Sequence, residues 1–150
     1  MTKEILIQYS DMAEEVKDIR RRIEKIKAEI YNMDIVSDSV KGTRPNGTYG
    51  SIKITGYPTP RWAKKKAALD KNKELLEEKE IELLELMTQA EEYIESIHKS
   101  ELRTMLRFYY IDGMSWTQVA HKMNDIFPKR TTPYTEDNCR KRNARFFDEN

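Results

Sequence analysis

The sequence predicts an all-α fold: a long antiparallel helical hairpin, coiled-coil-like, carrying a small β-hairpin or loop insert, followed by a small domain of short helices. Three observations carry this. Apolar residues near the start keep a seven-residue beat, breaker residues cluster between 34 and 60, and apolar density rises after residue 98. The expected organisation is residues 1–98 as the hairpin, with the insert at 34–60, and residues 99–150 as the second domain.

The 150 residues are 35% charged, 38% apolar and 9% aromatic. Such a balance limits the core of a compact globule, suits long amphipathic helices, and is too aromatic for a disordered chain. A single cysteine excludes a disulfide framework and any multi-cysteine zinc site, and fits a reducing compartment. No apolar run approaches the length of a membrane span, and the Met1-Thr2-Lys3-Glu4 start has no apolar signal core. These features predict a soluble, cytoplasmic protein with no membrane partner.

The first helix is expected from about Thr2 to Met33. Ile5, Tyr9, Met12, Val16, Ile19, Ile23, Ile26, Ile30 and Met33 are spaced alternately four and three apart, a heptad seam. Charged residues fill the positions between, so the stripe is narrow. From Asp34 to Pro60 the pattern breaks at Gly42, Pro45, Asn46-Gly47, Gly50, Gly56, Pro58 and Pro60. Asn46-Gly47 favours a tight hairpin turn, and the stretches Val36 to Val40 and Ser51 to Thr55 alternate as short strands do. A phosphate loop at Gly42 to Gly50 is rejected, because no Gly-Lys-Ser/Thr follows.

A second long helix is expected from Pro60 to about His98, with Leu69, Leu76, Leu83, Ala90 and Ile97 repeating every seven residues, supported by Leu86, Met87, Tyr93 and Ile94. Antiparallel pairing of the two helices covers both seams; a homodimer through the long helices would do so as well. The Lys64 to Lys66 run reads as a solvated face.

Residues 98–150 differ in charge as well as in apolar density. They hold 10 basic and 7 acidic side chains, against 17 and 19 in residues 1–97. Glu101 to Tyr110 reads as a helix with Ser100 as N-cap, stopped at Asp112-Gly113. Ser115-Trp116-Thr117-Gln118 fits a capping box opening a helix to Met123, with Val119, Ala120 and Met123 inward. A connector, Asn124 to Tyr134, leads to a last helix begun by Thr135 and running through Phe147. At about 100° per residue, Arg142, Asn143 and Phe146 share the face of Cys139. Asp137, Lys141 and Ala144 lie opposite, flanked by Asn138, Arg140 and Arg145. A helix that reads a major groove needs such a face: cations for phosphates, amide or forked side chains for base edges, and a small residue for close approach. Lys129 and Arg130 in the connector could add phosphate contacts.

The stretch Glu101-Leu-Arg-Thr-Met-Leu-Arg-Phe-Tyr-Tyr-Ile-Asp-Gly-Met-Ser-Trp-Thr-Gln-Val-Ala-His-Lys-Met123 resembles the promoter-reading region 4 of bacterial sigma factors. Asp137-Asn-Cys-Arg-Lys-Arg142 is similar to the start of that region's recognition helix, with Cys139 replacing an inward Val or Ile. The whole layout resembles the RinA/ArpU-type late-gene transcriptional regulators of phages, more loosely in the insert. The sigma region joins its second and third helices by a few residues, whereas Asn124 to Tyr134 spans 11. The resemblance implies a helix-turn-helix domain that binds double-stranded DNA and activates phage or prophage genes inside a bacterial host. By it, Asp137, Arg140 and Lys141 face DNA, and Arg142 and Arg145 contact phosphates. With Lys129, Arg130 and Asn138 these form the expected DNA-binding set.

Trp116, Phe108, Tyr109 and Tyr110 are expected in core or crossing positions, and Cys139 inward and inert. His98 and His121 have no ligand-spaced partner, and no nucleophile–base pairing or metal-type acidic cluster is present. No enzyme activity, cofactor or metal is therefore expected. The alternative to a DNA-binding regulator is a protein-interaction module whose helical hairpin binds a host protein, RNA polymerase or a defence enzyme. A small terminase subunit, which also combines these two elements, is a third option.

Overall fold

The computed structural model describes residues 3–37, 40–43, 49–52 and 60–149. The fold is all-α in class, with helices α1 (Lys3–Ser37), α2 (Pro60–Glu95), α3 (Ser100–Leu106), α4 (Trp116–Ile126) and α5 (Glu136–Glu149). Two four-residue strands, β1 (Val40–Thr43) and β2 (Tyr49–Ile52), lie between α1 and α2. By packing, the chain forms two compact units, residues 16–79 and residues 1–15 with 80–150. These boundaries fall inside the long helices, while the compositional break falls near residue 98.

In the unit of residues 16–79, Ile19, Ile23 and Leu69 bury together, with Ile26, Ile30 and Leu76 packed around them. All six are seam residues, so the heptad spacing locates this core. Charged side chains cover its flanks: Asp18 pairs with Arg21 and Arg22, and Glu29 with Lys65. The strands pair antiparallel with Val40 opposite Ile52 and Gly42 opposite Gly50. The strand positions differ from expectation. Val36 and Ser37 are the last residues of α1 rather than the start of a strand, and β2 begins at Tyr49. The Asn46-Gly47 turn and residues 53–55 lie outside the described residues.

In the other unit, one cluster joins Leu6 and Tyr9 of α1 with Ala90, Ile94 and Ile97, and with Leu106 and Tyr110. A second gathers Met105, Val119, Ala120, Met123, Tyr134 and Cys139. The adjacent Met105 and Leu106 send fully buried side chains into different clusters, so α3 serves both. Two seam assignments are corrected here. Leu6, outside the heptad, is fully buried while Ile5 is only partly so, because Leu6 joins a cluster with Leu106 and Tyr110 as well as with the seam of α2. Met87, expected to support the second seam, is exposed, while Ile94, expected with it, is buried.

The local signals of the last third bear on the site. After α3, residues Arg107–Ile111 form a π-helical turn closed by Asp112 N–H donating to the Arg107 carbonyl at 3.0 Å. It places Tyr110 inward and stacks Tyr109 on Trp116, centroids 3.8 Å apart. Gly113 has φ +69°, where a side chain would strain the backbone. Ser115 and Gln118 form the expected capping box, at 3.3 Å and 3.0 Å. Ser100 is not the cap of α3. Lys99 occupies that position, and the Ser100 hydroxyl accepts from Arg103, which also donates to the Ile97 and His98 carbonyls.

Candidate nucleic-acid interface

Both ends of the connector before α5 are fixed by one side chain. Asn124 Nδ2 donates to the Tyr134 carbonyl at 2.9 Å, and its Oδ1 accepts from Tyr134 N–H at 2.7 Å. Helix α4 runs on to Ile126, three residues past the expected end at Met123, so the connector is nine residues, Phe127 to Thr135, and Asn124 in the last turn of α4 closes it like a short one. Helix α5 then starts with a second reciprocal cap. Asn138 N–H donates to Thr135 Oγ1 at 3.2 Å, and Thr135 N–H to Asn138 Oδ1 at 2.9 Å. Asn138 Nδ2 donates to the Pro133 carbonyl, so both ends of its amide are engaged in the helix start.

The inner face of α5 is set by two residues. Cys139 is fully buried beside Val119, Ala120 and Met123, and burial pushes its thiol pKa up. Asn143, the one buried polar residue among those described, accepts from the Tyr110 hydroxyl at 3.2 Å. Burial likewise raises the Tyr110 pKa, against the lowering effect of that bond. With this face held, Asp137, Arg140, Lys141, Ala144 and Arg145 are exposed, as the helical spacing predicts.

The cations are not equally available. Asp137 pairs with Arg140 at 3.1 Å and Lys141 at 2.7 Å; the hydrogen bond from Lys141 is the main cause of its lowered pKa. All three are well exposed, and solvent screens such pairs strongly. Arg145 lines an open groove with Lys3, His98, Lys99, Phe146 and Glu149. Lys129 is exposed on the connector and makes no ion pair among the described residues.

Arg130 and Arg142 converge on Glu101 in the first turn of α3. Arg142 approaches Oε1 at 3.3 Å, while Arg130 and the Tyr134 hydroxyl donate to Oε2. Both guanidiniums also lie over the Tyr134 ring, at 5.9 Å and 5.1 Å. Burial acts to raise the Glu101 pKa, but the Tyr134 hydrogen bond and the two charges outweigh it and hold the carboxyl below its ordinary range. Tyr134 moves the other way, raised by burial and then by that bond. Glu101 and Tyr134 were absent from the expected site. Glu101 lies 29 to 41 residues from Arg130, Tyr134 and Arg142 in sequence, beyond any local pattern.

No cluster of His, Cys, Asp and Glu suited to a metal occurs among the described residues, and no helix there is long and apolar enough to cross a membrane. A family model described as "Protein of unknown function (DUF1492)" matches residues 64–144, which include α3, α4 and most of α5. No curated protein and no solved structure matches the chain.

Proposed function

The chain belongs to the DUF1492 family, and we propose that it is a DNA-binding transcriptional regulator of phage or prophage genes. In this reading residues 100–149 act as a helix-turn-helix of sigma region 4 type, with α5 in the major groove. Residues 3–95 form the antiparallel helical hairpin, or pair two copies. The supporting observation is the division of α5 into two faces. Cys139 and Asn143 anchor one, and the other offers Arg140, Lys141 and Arg145 around the small Ala144. Phosphate contacts from these cations and from Lys129 would position the helix, and base edges would then be read from its middle turns. The regulator works in the host cytoplasm, as an activator.

The test is a mobility shift of the full chain against promoter fragments from its own genome at two salt concentrations. Binding should weaken steeply with salt, and Arg140→Glu with Lys141→Glu should reduce affinity at least about tenfold while the helical spectrum is retained. Unchanged affinity in that double variant overturns the role of α5.

A second reading has its own support. Ile81 and Leu84 of α2 are 64% and 65% exposed, more than solvated helices need. Here α2 would dock a host protein such as RNA polymerase. Ile81→Ser with Leu84→Ser would abolish co-purification of polymerase and leave DNA affinity unchanged.

A further inference from the structure

Glu101 gathers two cations of the DNA-binding set expected from the sequence. Arg130 comes from the connector, Arg142 from α5, and the carboxylate from the first turn of α3. The Glu101 side chain is enclosed, 16% exposed, whereas Arg130 and Arg142 keep 44% and 34% of theirs in solvent. A phosphate can therefore reach the outer edges of both guanidiniums while the carboxylate stays behind them. The two anions compete for the same chemistry, a planar fork donating to charged oxygens.

We infer that Glu101 is an internal counter-anion that holds Arg130 and Arg142 back from non-specific phosphate backbone, and so sets the discrimination between a docked site and bulk DNA. This rests on the DNA-binding reading above. Two guanidiniums with one carboxylate carry a single net positive charge, so loose contact with a duplex releases fewer counterions than two free arginines would. A loosely bound backbone whose phosphates do not lie opposite the exposed edges gains little, because Glu101 keeps both side chains from reaching out to them. A docked complex presents phosphate oxygens to the exposed edges at fixed positions and gains in full.

Asp137 holds Arg140 and Lys141 in the same two-to-one ratio, but it is itself solvent-exposed, so water already screens the pairing. Enclosure is what separates Glu101 from it. Lys129, next to Arg130 and without an ion pair among the described residues, is the internal control.

The experiment titrates full-length wild type, Glu101→Gln, Arg130→Gln, Lys129→Gln and the Arg140→Glu/Lys141→Glu variant with a short mixed-sequence duplex. Fluorescence anisotropy follows binding from about 50 to 200 mM salt. Glu101→Gln should bind this probe more tightly, with the slope of log K against log salt steeper by about one unit. Lys129→Gln should flatten the slope by about one unit, and Arg130→Gln by less than half as much. Removal of one negative charge anywhere near the duplex would also tighten binding, so the comparison of Arg130→Gln with Lys129→Gln, which that general effect does not alter, separates the counter-anion role from it. Equal or weaker binding by a folded Glu101→Gln overturns the inference. Whether or not that variant folds, equal flattening by Arg130→Gln and Lys129→Gln overturns it. Absence of wild-type binding at low salt defeats the DNA reading and the inference together. Wild-type binding abolished by Arg140→Glu/Lys141→Glu, with Glu101→Gln unchanged, defeats the inference alone.

Discussion

Around Met123 the core is closed by residues from several elements, whereas around Ile23 it is closed along one line. Met123 shares its cluster with Met105, Val119, Tyr134 and Cys139, drawn from α3, α4, the connector and α5. Ile23 is buried with Ile19 and Leu69 alone, and its remaining neighbours Ile26, Ile30 and Leu76 are partly exposed. The first kind of core fixes the angle of a helix, because side chains interlock from several directions. The second fixes a line of contact and leaves the rest of the helix surface to charge. A region that must hold α5 at one orientation has the first kind.

The largest expected effect tests that contrast directly. Met123→Ala should lower stability in urea by about 3 kcal/mol, since it opens a cavity whose walls belong to four elements and cannot all relax. Ile23→Ala should cost about 2 kcal/mol, because the neighbouring seam residues are already in partial contact with water. Equal losses in the two variants would break the comparison. Gly113→Ala comes next, at about 1 kcal/mol. A Cβ there would meet nothing within 4 Å, so the whole cost is the positive φ and no packing term should appear.

The smallest effect is a dependence on pH. Glu101 has a lower pKa in the folded chain than the ordinary value of 4.5. As pH falls, the unfolded chain takes up this proton first. The stability contributed by Glu101 is therefore complete above that ordinary value and is lost as pH falls through the folded one. Wild-type urea midpoints should decline over this acid window, and those of Glu101→Gln should decline less. Some decline should remain, because Glu29, Glu95 and Asp137 are also lowered, each first by a hydrogen bond from a neighbouring cation. Identical profiles would remove Glu101 from the account of how the connector is held.

Much of this was legible in the sequence, and for a physical reason. Ser115 and Gln118 meet within one helical turn, Gly113 is needed by its own backbone, and Cys139 follows from the period of α5. Each is a local rule. The seam of residues 16–79 was legible because a heptad returns an apolar side chain to one side of its helix turn after turn. Leu6 was missed because the cluster that buries it is built from residues far along the chain, Ala90 to Tyr110. The Glu101 cluster was missed likewise: nothing near Glu101 distinguishes it from the solvated glutamates of α2. Asn138 carried a local signal that was readable, Thr135 three residues earlier, and its amide closes a cap rather than facing outward.

The single cysteine has a use that its burial creates. Cys139 is the only thiol in the chain and is sealed on the inner face of α5, so an alkylating reagent can react only when that helix lifts. The labelling rate then acts as a stopwatch on local opening: proportional to reagent at low concentration, and limited by the opening step itself at high concentration. Anything that grips the outer face of α5 without touching the sulfur should slow this clock. Occupancy of the helix could thus be timed chemically, with no dye attached to the protein and no knowledge of the sequence it binds.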